Sequence, residues 1–565
     1  MTDLPNPDLL TRIPWTARTV LDVGCGRGAL AAAYRRINPR VRLLGIDKSI
    51  EAAEQAASYY DDMVAGDVEE EPLPFDLPDG LDCIVYGDVL EHLGEPWELV
   101  RRHAAALAPD GVMLICVPNV EHWSFAARLL RGGWDYEPSG LFDRTHLRWF
   151  TLEMMRKGLT ALGLTPCDVV PRVFEPEKVQ AFVRALEPGL RAMGIDPAEY
   201  APRAAPLQYV WRVRTQPRTI MTVAATMLKP VGGVSDVRVV YPLRAMATDP
   251  TVSACITTAE PSRVPVSDGP RIFVLHRPML TGAQGIETIR DLLAQDFVIV
   301  TEFDDHPDFF AAMRGDDQYA FSGVHAVQTT TETLAGILRP RSHEVAVFPN
   351  TARSLPDVRN FTEPGRFTLF FGALNRERDW LPHLAVLNDI AQAMADRLRF
   401  SIVHDQALFD ALRTPHKTFT PTCDHDTYLD LLGAAEISFM PLLDTPFNRA
   451  KSDLKFVEAG ACRVVPLASR VVYGEALEDG ATGVLFDTPE ALHVRLMQLL
   501  TVPGLARDIA DGAREHVARE RMLAYQVGPR LAWYRSLWER RGELTAALLQ
   551  RVPQLASASG GPALL

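Results

Sequence analysis

At 565 residues the chain is too long for one hydrophobic core, which implies two to four domains. Hydrophobic residues at 47% and charged residues at 23% describe an ordinary globular protein, and a net charge of −14, from 58 basic and 72 acidic residues, argues against nonspecific nucleic-acid binding. Seven cysteines without paired spacing read as reduced thiols with neither a disulfide framework nor a zinc site; with no leader and no membrane-spanning apolar run in the sequence, a cytoplasmic location is expected.

In chain order, the first element is a strand over residues 19–23 that runs into Gly24, Gly26 and Gly28 and then an alanine-rich helix. Glycines at that spacing let a ligand approach backbone at the mouth of a parallel sheet. A dinucleotide fingerprint would space the last glycine one residue further on. Asp22 puts a negative charge at the loop entrance, which repels a diphosphate and suits the ammonium and sulfonium of S-adenosylmethionine. A second strand ends in Asp47, placed to accept from ribose hydroxyls, and a third short strand precedes Asp67 and Val68, which would bracket the adenine. A fourth strand over 81–86 leads into Asp88 and the segment GDVLEHL; a fifth covers 112–117. Strand alternates with helix, as a doubly wound α/β sheet requires.

Together these elements resemble the class I S-adenosylmethionine-dependent methyltransferases over residues 1–215. The resemblance implies a Rossmann-like domain whose cofactor-binding residues are Asp22, Gly24, Gly26, Gly28, Asp47, Asp67, Val68 and Asp88. Residues 119–151 are rich in Trp, Phe, His and Arg and read as a loop over the acceptor. Aromatic faces beside hydrogen-bonding groups suit a polyhydroxylated ligand, and the segment is similar to that of methyltransferases encoded with bacterial surface-polysaccharide enzymes. Methyl transfer to a hydroxyl calls for a base, for which His146 comes first, with His122 and Asp143 behind it. Both His146 and Arg148 also fit a role in pinning the loop, and His92 reads as a structural residue at its strand end. The run QYVWRVR, residues 208–214, is expected to close the sheet.

From residue 218 the alternation resumes. TIMTVAATMLKPVGGVSDVRVVYPL gives a strand, a turn at Gly232 and Gly233, and a helix; RIFVLHR, FVIVTEF, VHAVQTT and EVAVFPN follow as strands. A second Rossmann-like half begins at FTLFFGALNRERDW and continues through FSIVH, EISFMPL, CRVVPLAS and TGVLF. Two such halves make a cleft. Arg376 and Arg378 follow the first strand of the second half, and Arg449, Lys451 and Lys455 are expected at the start of a helix capped by Ser452 or Asp453. Lys451 and Lys455 on one helical face call for an anion between them, and a diphosphate would supply it.

Residues 218–525 resemble, in order and spacing, the GT-B glycosyltransferases of the retaining, nucleotide-sugar type. That resemblance implies an acceptor half over 218–360 and a donor half over 361–525. Gly232, Gly233, Arg376, Arg378, Lys451, Lys455 and Glu458 would bind the nucleotide-diphosphate sugar; of these Arg376 and Lys451 would neutralise the leaving diphosphate and Glu458 would hold the ribose. The family often carries an earlier glutamate eight residues before the second, where this chain has Ala450, with Asn448 a nearby substitute. Asp304, Asp305 and His306 read as a strand end near the acceptor, with His276 and His306 as acceptor contacts; no metal is expected. Residues 526–565 are expected to form a helix and a disordered tail, the helix carrying Trp533, Trp538, Arg535, Arg540 and Arg541. It is expected to pack back across the two halves, with contact to a membrane surface near a lipid-linked acceptor as the other reading. The whole reads as a bifunctional O-methyltransferase and glycosyltransferase of surface-glycan synthesis. A methyltransferase with a glycan-binding lobe and a natural-product tailoring enzyme stay open beside it.

Overall fold

The computed structural model describes residues 4–556 apart from 71, 228–232, 258–263, 266, 316 and 362, so Gly232 and the tail 557–565 lie outside the described residues. The chain divides into two compact units, Met1–Thr219 with Thr248–Thr251, and Ile220–Ala247 with Val252–Leu565.

The first unit is built on seven strands: β1 (Thr19–Val23), β2 (Arg42–Asp47), β3 (Asp62–Ala65), β4 (Leu81–Gly87), β5 (Leu107–Pro118), β6 (Thr165–Arg172) and β7 (Gln208–Arg214). They run in the order β3-β2-β1-β4-β5-β7-β6. The first five pair in parallel, and β7 is antiparallel to both β5 and β6. Side chains alternate between the two faces: Met113, Ile115 and Val117 of β5 enter one core, and Val112, Leu114 and Cys116 the other. QYVWRVR therefore does not close the sheet. It sits one place in, and β6 takes the edge, where its two prolines, which lack an N–H, are tolerated.

The second unit holds two all-parallel six-stranded sheets, which is the expected pair of Rossmann-like halves. One comprises β8 (Met221–Thr226), β9 (Val252–Ile256), β10 (Arg271–His276), β11 (Val298–Glu302), β12 (Ala326–Thr329) and β13 (Val345–Val347), in the order β13-β12-β11-β10-β8-β9. The other comprises β14 (Phe367–Gly372), β15 (Leu398–Val403), β16 (Lys417–Thr420), β17 (Ile437–Met440), β18 (Val465–Ser469) and β19 (Val484–Phe486), in the order β16-β15-β14-β17-β18-β19. The fold is thus α/β throughout. Strand order reverses between β1 and β4, between β8 and β10, and between β14 and β17. Ligand crevices of open parallel sheets form outside the carboxyl ends of strands at such reversals.

The terminal helices Ala524–Glu539 and Arg541–Arg551 pack back on the β8–β13 half. Tyr534 donates from its hydroxyl to Gln328 (2.9 Å), Arg540 pairs with Glu344 (3.1 Å), and Leu548 and Val552 enter that half's core. Among the described residues no helix is long and apolar enough to cross a membrane.

Candidate functional site

At the β1/β4 reversal, Gly24, Gly26 and Gly28 all have positive φ (+67°, +54° and +80°). A Cβ on Gly24 would lie 2.5 Å from Val89 Cγ2, so backbone freedom and close packing both demand glycine there. Asp22, 6% exposed, accepts a hydrogen bond from the Tyr60 hydroxyl (2.7 Å). Burial pushes its carboxyl up to about 7; Tyr60 opposes this and the neighbouring charge of Asp47 adds to it. Asp47 ends β2 and accepts from the Gly26 and Ser49 N–H groups (both 2.8 Å), which ties the glycine loop to the second strand. Asp67 pairs with Lys48 (2.7 Å) and accepts from the Glu69 N–H, and both bonds hold its carboxyl low; Val68 is buried in the adjoining core. Asp88 follows β4 at φ +59° and accepts from the Gln208 amide.

The aromatic segment after β5 is pinned rather than loose. Its helix Trp123–Leu130 carries Phe125, whose ring packs at 4.6 Å on Phe142 and 5.4 Å on Trp149, and Trp134 lies 5.7 Å from Trp149. The chain then returns to donate from the Leu147 and Arg148 N–H groups to the Glu91 carbonyl (2.7 and 3.0 Å). That return sets the His146 ring 4.9 Å from His92, edge-on, and 5.7 Å from Trp149. Burial and the His92 charge lower the His146 pKa. Asp143 accepts from the Thr145 N–H (2.8 Å) and hydroxyl (2.7 Å); burial raises its carboxyl, but Thr145 and the two histidines outweigh this and hold it low. His122 stands apart from this group. It precedes the helix, its Nδ1 lies 2.8 Å from the Ser124 hydroxyl, and burial drops its pKa to about 4. Glu91, passed over in the sequence except as a neighbour of His92, is 1% exposed and beside the two histidines; the segment DVLEHL was the signal for it.

In the second unit a cleft of about 280 Å³ opens where both sheets reverse, lined by Gly233, Arg277 and Asp304 from one half and Gly372, Arg376, Lys451, Lys455 and Glu458 from the other. Gly233 has φ +84°, and a Cβ there would meet His425 at 2.9 Å. Lys451 Nζ bonds both Asp305 oxygens (2.8 Å each) across the cleft, and Arg277 bonds Asp304 (2.6 Å), with His276 3.8 Å from the same carboxylate. Arg376 reaches Asp379 (3.0 Å) and Asn448 (2.8 Å), and Asn448 itself does not line the cleft. Glu458 is 6% exposed; Oε1 meets His425 Nε2 (2.9 Å), whose Nδ1 meets the Tyr241 hydroxyl (2.9 Å). Lys455 stands 3.7 Å from Glu458 Oε2, which has no hydrogen-bond partner among the described residues.

The expected helix and the placements of Arg449 and Arg378 change here. Lys451 and Lys455 do not share a helix. Thr445 caps a short helix Pro446–Arg449, and the next begins only at Leu454; Asp453 stands at its N-cap position, but its carboxylate pairs with Arg521 (2.6 and 2.9 Å) and makes no capping bond. Arg449 pairs with Asp444 at the surface, and Arg378, on the exposed side of the helix Glu377–Trp380, does not line the cleft. His306 accepts from the Asp308 N–H (3.3 Å) at the start of a short helical turn.

Residues 6–169 match the family model described as a methyltransferase domain. The N-terminal part of the chain therefore carries a methyltransferase domain, as its glycine loop with Asp22, Asp47, Asp67 and the DVLEHL segment together implied. The ubiquinone biosynthesis O-methyltransferase of Rhodopseudomonas palustris (strain BisB5) is 29% identical over 165 residues, which is 28% of this chain and 62% of that protein, so the chain spans less than two thirds of that relative's length. Among solved structures, a SAM-dependent methyltransferase from Archaeoglobus fulgidus overlaps 35% of this chain and 85% of its own at 18% identity and a TM-score of 0.25. TarM overlaps 46% of this chain and 54% of its own at 11% identity and a TM-score of 0.37.

Proposed function

We propose that the chain joins an S-adenosylmethionine-dependent O-methyltransferase to a nucleotide-sugar-dependent glycosyltransferase, acting in the cytoplasm on successive steps of a surface polysaccharide or other glycoconjugate. The observation that carries the first activity is the buried Asp22 beside a left-handed glycine loop at a sheet reversal. A carboxylate so poorly hydrated favours a cationic ligand, and S-adenosylmethionine supplies a methyl group on a sulfonium beside an ammonium. Asp47 and Asp67 would receive the ribose and the adenine, and Val68 would pack on the base. The acceptor hydroxyl would enter between the pinned aromatic segment and Asp88, facing Glu91, His92 and His146. There the protein's task is to hold the oxygen in line with the methyl carbon and receive its proton, for which His146 stands first.

For the second activity the supporting observation is the cleft at two facing reversals, with Arg277, Arg376, Lys451 and Lys455 set beside Asp304, Asp379, Asp305 and Glu458 respectively. A diphosphate entering there would take Lys451 from Asp305 and draw on Arg376 and Lys455, so charge developing on the leaving group meets fixed cations. The unpaired Oε2 of Glu458, buried beside Lys455, suits a ribose hydroxyl. A donor-hydrolysis panel of common nucleotide sugars tests this, run with the intact protein and with Glu458→Ala. Turnover of one donor, lost in the variant, supports the transferase. Silence across the panel, with methyl transfer retained, moves the assignment to a methyltransferase with a glycan-binding lobe.

A further inference from the structure

Glu91, His92 and His146 each bring one ligand atom within 4.8 Å of the others. The set mixes two imidazoles and a carboxylate from elements 54 residues apart, and hydrogen bonding within the protein leaves part of it unused. Glu91 Oε2 and His146 Nδ1 are buried with no hydrogen-bond partner among the described residues, and Glu91 as a whole is 1% exposed. Leaving such an acceptor unpaired is destabilising, and a ligand would remove that cost. His92 is oriented by Thr145, whose hydroxyl lies 3.0 Å from its Nδ1, and Thr145 is in turn held by Asp143. Ligating histidines are held this way, with one ring nitrogen fixed by a neighbour.

We propose that Glu91, His92 and His146 form a site for a divalent first-row transition ion on the acceptor side of the methyltransferase, and that the acceptor carries adjacent hydroxyls which complete its coordination. Two imidazoles and one carboxylate suit zinc, manganese, iron or cobalt better than the all-oxygen ions. Donors held about 2.1 Å from such an ion stand roughly 3–4 Å apart, so the cluster closes on it with side-chain shifts of about an ångström. Three protein ligands leave positions open for two oxygens on neighbouring carbons. The pairing with hydroxyls rests on the proposed methyltransferase function; a bound ion would acidify the coordinated hydroxyl, whose proton would pass to water, so that with the ion present His146 is a ligand and its role as base belongs to the ion-free site. No metal is expected from the sequence, because its cysteines have no paired spacing, Asp304–His306 read as a strand end, and Glu91 and His92 lie far from His146 in the chain.

The test is equilibrium dialysis of the full chain, stripped with chelator, against micromolar Co²⁺ or Mn²⁺. S-adenosylhomocysteine binding is measured on every sample. One ion per chain is expected, with ligand-field bands in the visible for Co²⁺ and imidazole nitrogen coupling in the electron spin echo of bound Mn²⁺. Glu91→Gln and His92→Ala should each lower ion affinity at least tenfold while S-adenosylhomocysteine affinity stays within about threefold. The spectra of the unaltered chain decide the matter if a variant fails to fold. Absence of bound ion, or an ion without imidazole coupling, overturns the site. If the stripped chain binds S-adenosylhomocysteine and methylates at the same rate with and without added ion, the metal is refuted and the methyltransferase stands; failure to bind S-adenosylhomocysteine at all refutes the function beneath it.

Discussion

Replacing Asp22 with Asn should stabilise the protein at pH 8 and weaken its cofactor. In the folded chain the Asp22 carboxyl is pushed up to about 7 by burial, against 3.8 when exposed. The folded state therefore holds a proton that the unfolded state has released, across the window from about pH 4 to pH 7. Stability from this group is complete below pH 4 and is lost as pH rises to 7, by about three units at 1.36 kcal/mol each, or roughly 4 kcal/mol. Asn keeps an oxygen for the Tyr60 hydroxyl and does not titrate, so Asp22→Asn should gain up to that amount relative to the native chain at pH 8 and almost nothing at pH 4. Native-state hydrogen exchange on peptides spanning β1 and β4, corrected for intrinsic rates, reads this directly. The same charge favours the cation, so S-adenosylmethionine should bind the native chain about tenfold more weakly for each pH unit below 7, and the variant should lose ten- to a hundredfold at pH 8. Parallel stability curves for the two proteins from pH 4 to 8 would refute the reasoning.

Gly24→Ala should destabilise the first unit by about 2–4 kcal/mol, combining a left-handed backbone with the 2.5 Å approach to Val89; adding Val89→Ala should recover the packing part in a double-mutant cycle of thermal unfolding. Arg238 is paired with Glu302 at 2.9 Å, the two side chains 3% and 0% exposed, so Arg238→Met strands a buried carboxylate and should cost about 3–5 kcal/mol by urea unfolding of the second unit. Glu458→Gln should weaken nucleoside-diphosphate binding about ten- to a hundredfold in a calorimetric titration, with little change in melting temperature. Asp305→Asn frees Lys451 and should tighten the same ligand, which the same titration reports.

The parallel architecture was legible because buried strands such as FVIVT and ISFM are continuous apolar runs between glycine and polar breaks. The strands that escaped notice, β6, β9 and β16, are all at sheet edges, where half-burial leaves too little apolar signal in segments such as TPCDVVPR and KTFT. The glycine loop and Asp22 were readable because local backbone demands and charge coincide there. Partnering across the chain was not: Asp453 reads as a cap until Arg521 is seen beside it, and Lys451 reads as a free cation until Asp305 is placed opposite. The grouping of Glu91, His92 and His146 depends in the same way on the Leu147 and Arg148 amides folding the segment back onto β4's end.

The most direct test of two substrate sites on one chain is calorimetric titration of the intact protein, first with S-adenosylhomocysteine and then with UDP, GDP, ADP, CDP and dTDP in turn. One site for the first ligand and one independent site for a single diphosphate are expected, each ligand stabilising its own unit by about 2.7 kcal/mol at a hundredfold excess over its dissociation constant. Binding of S-adenosylhomocysteine with no response to any nucleotide would contradict the glycosyltransferase, and no response to either would contradict the account as a whole.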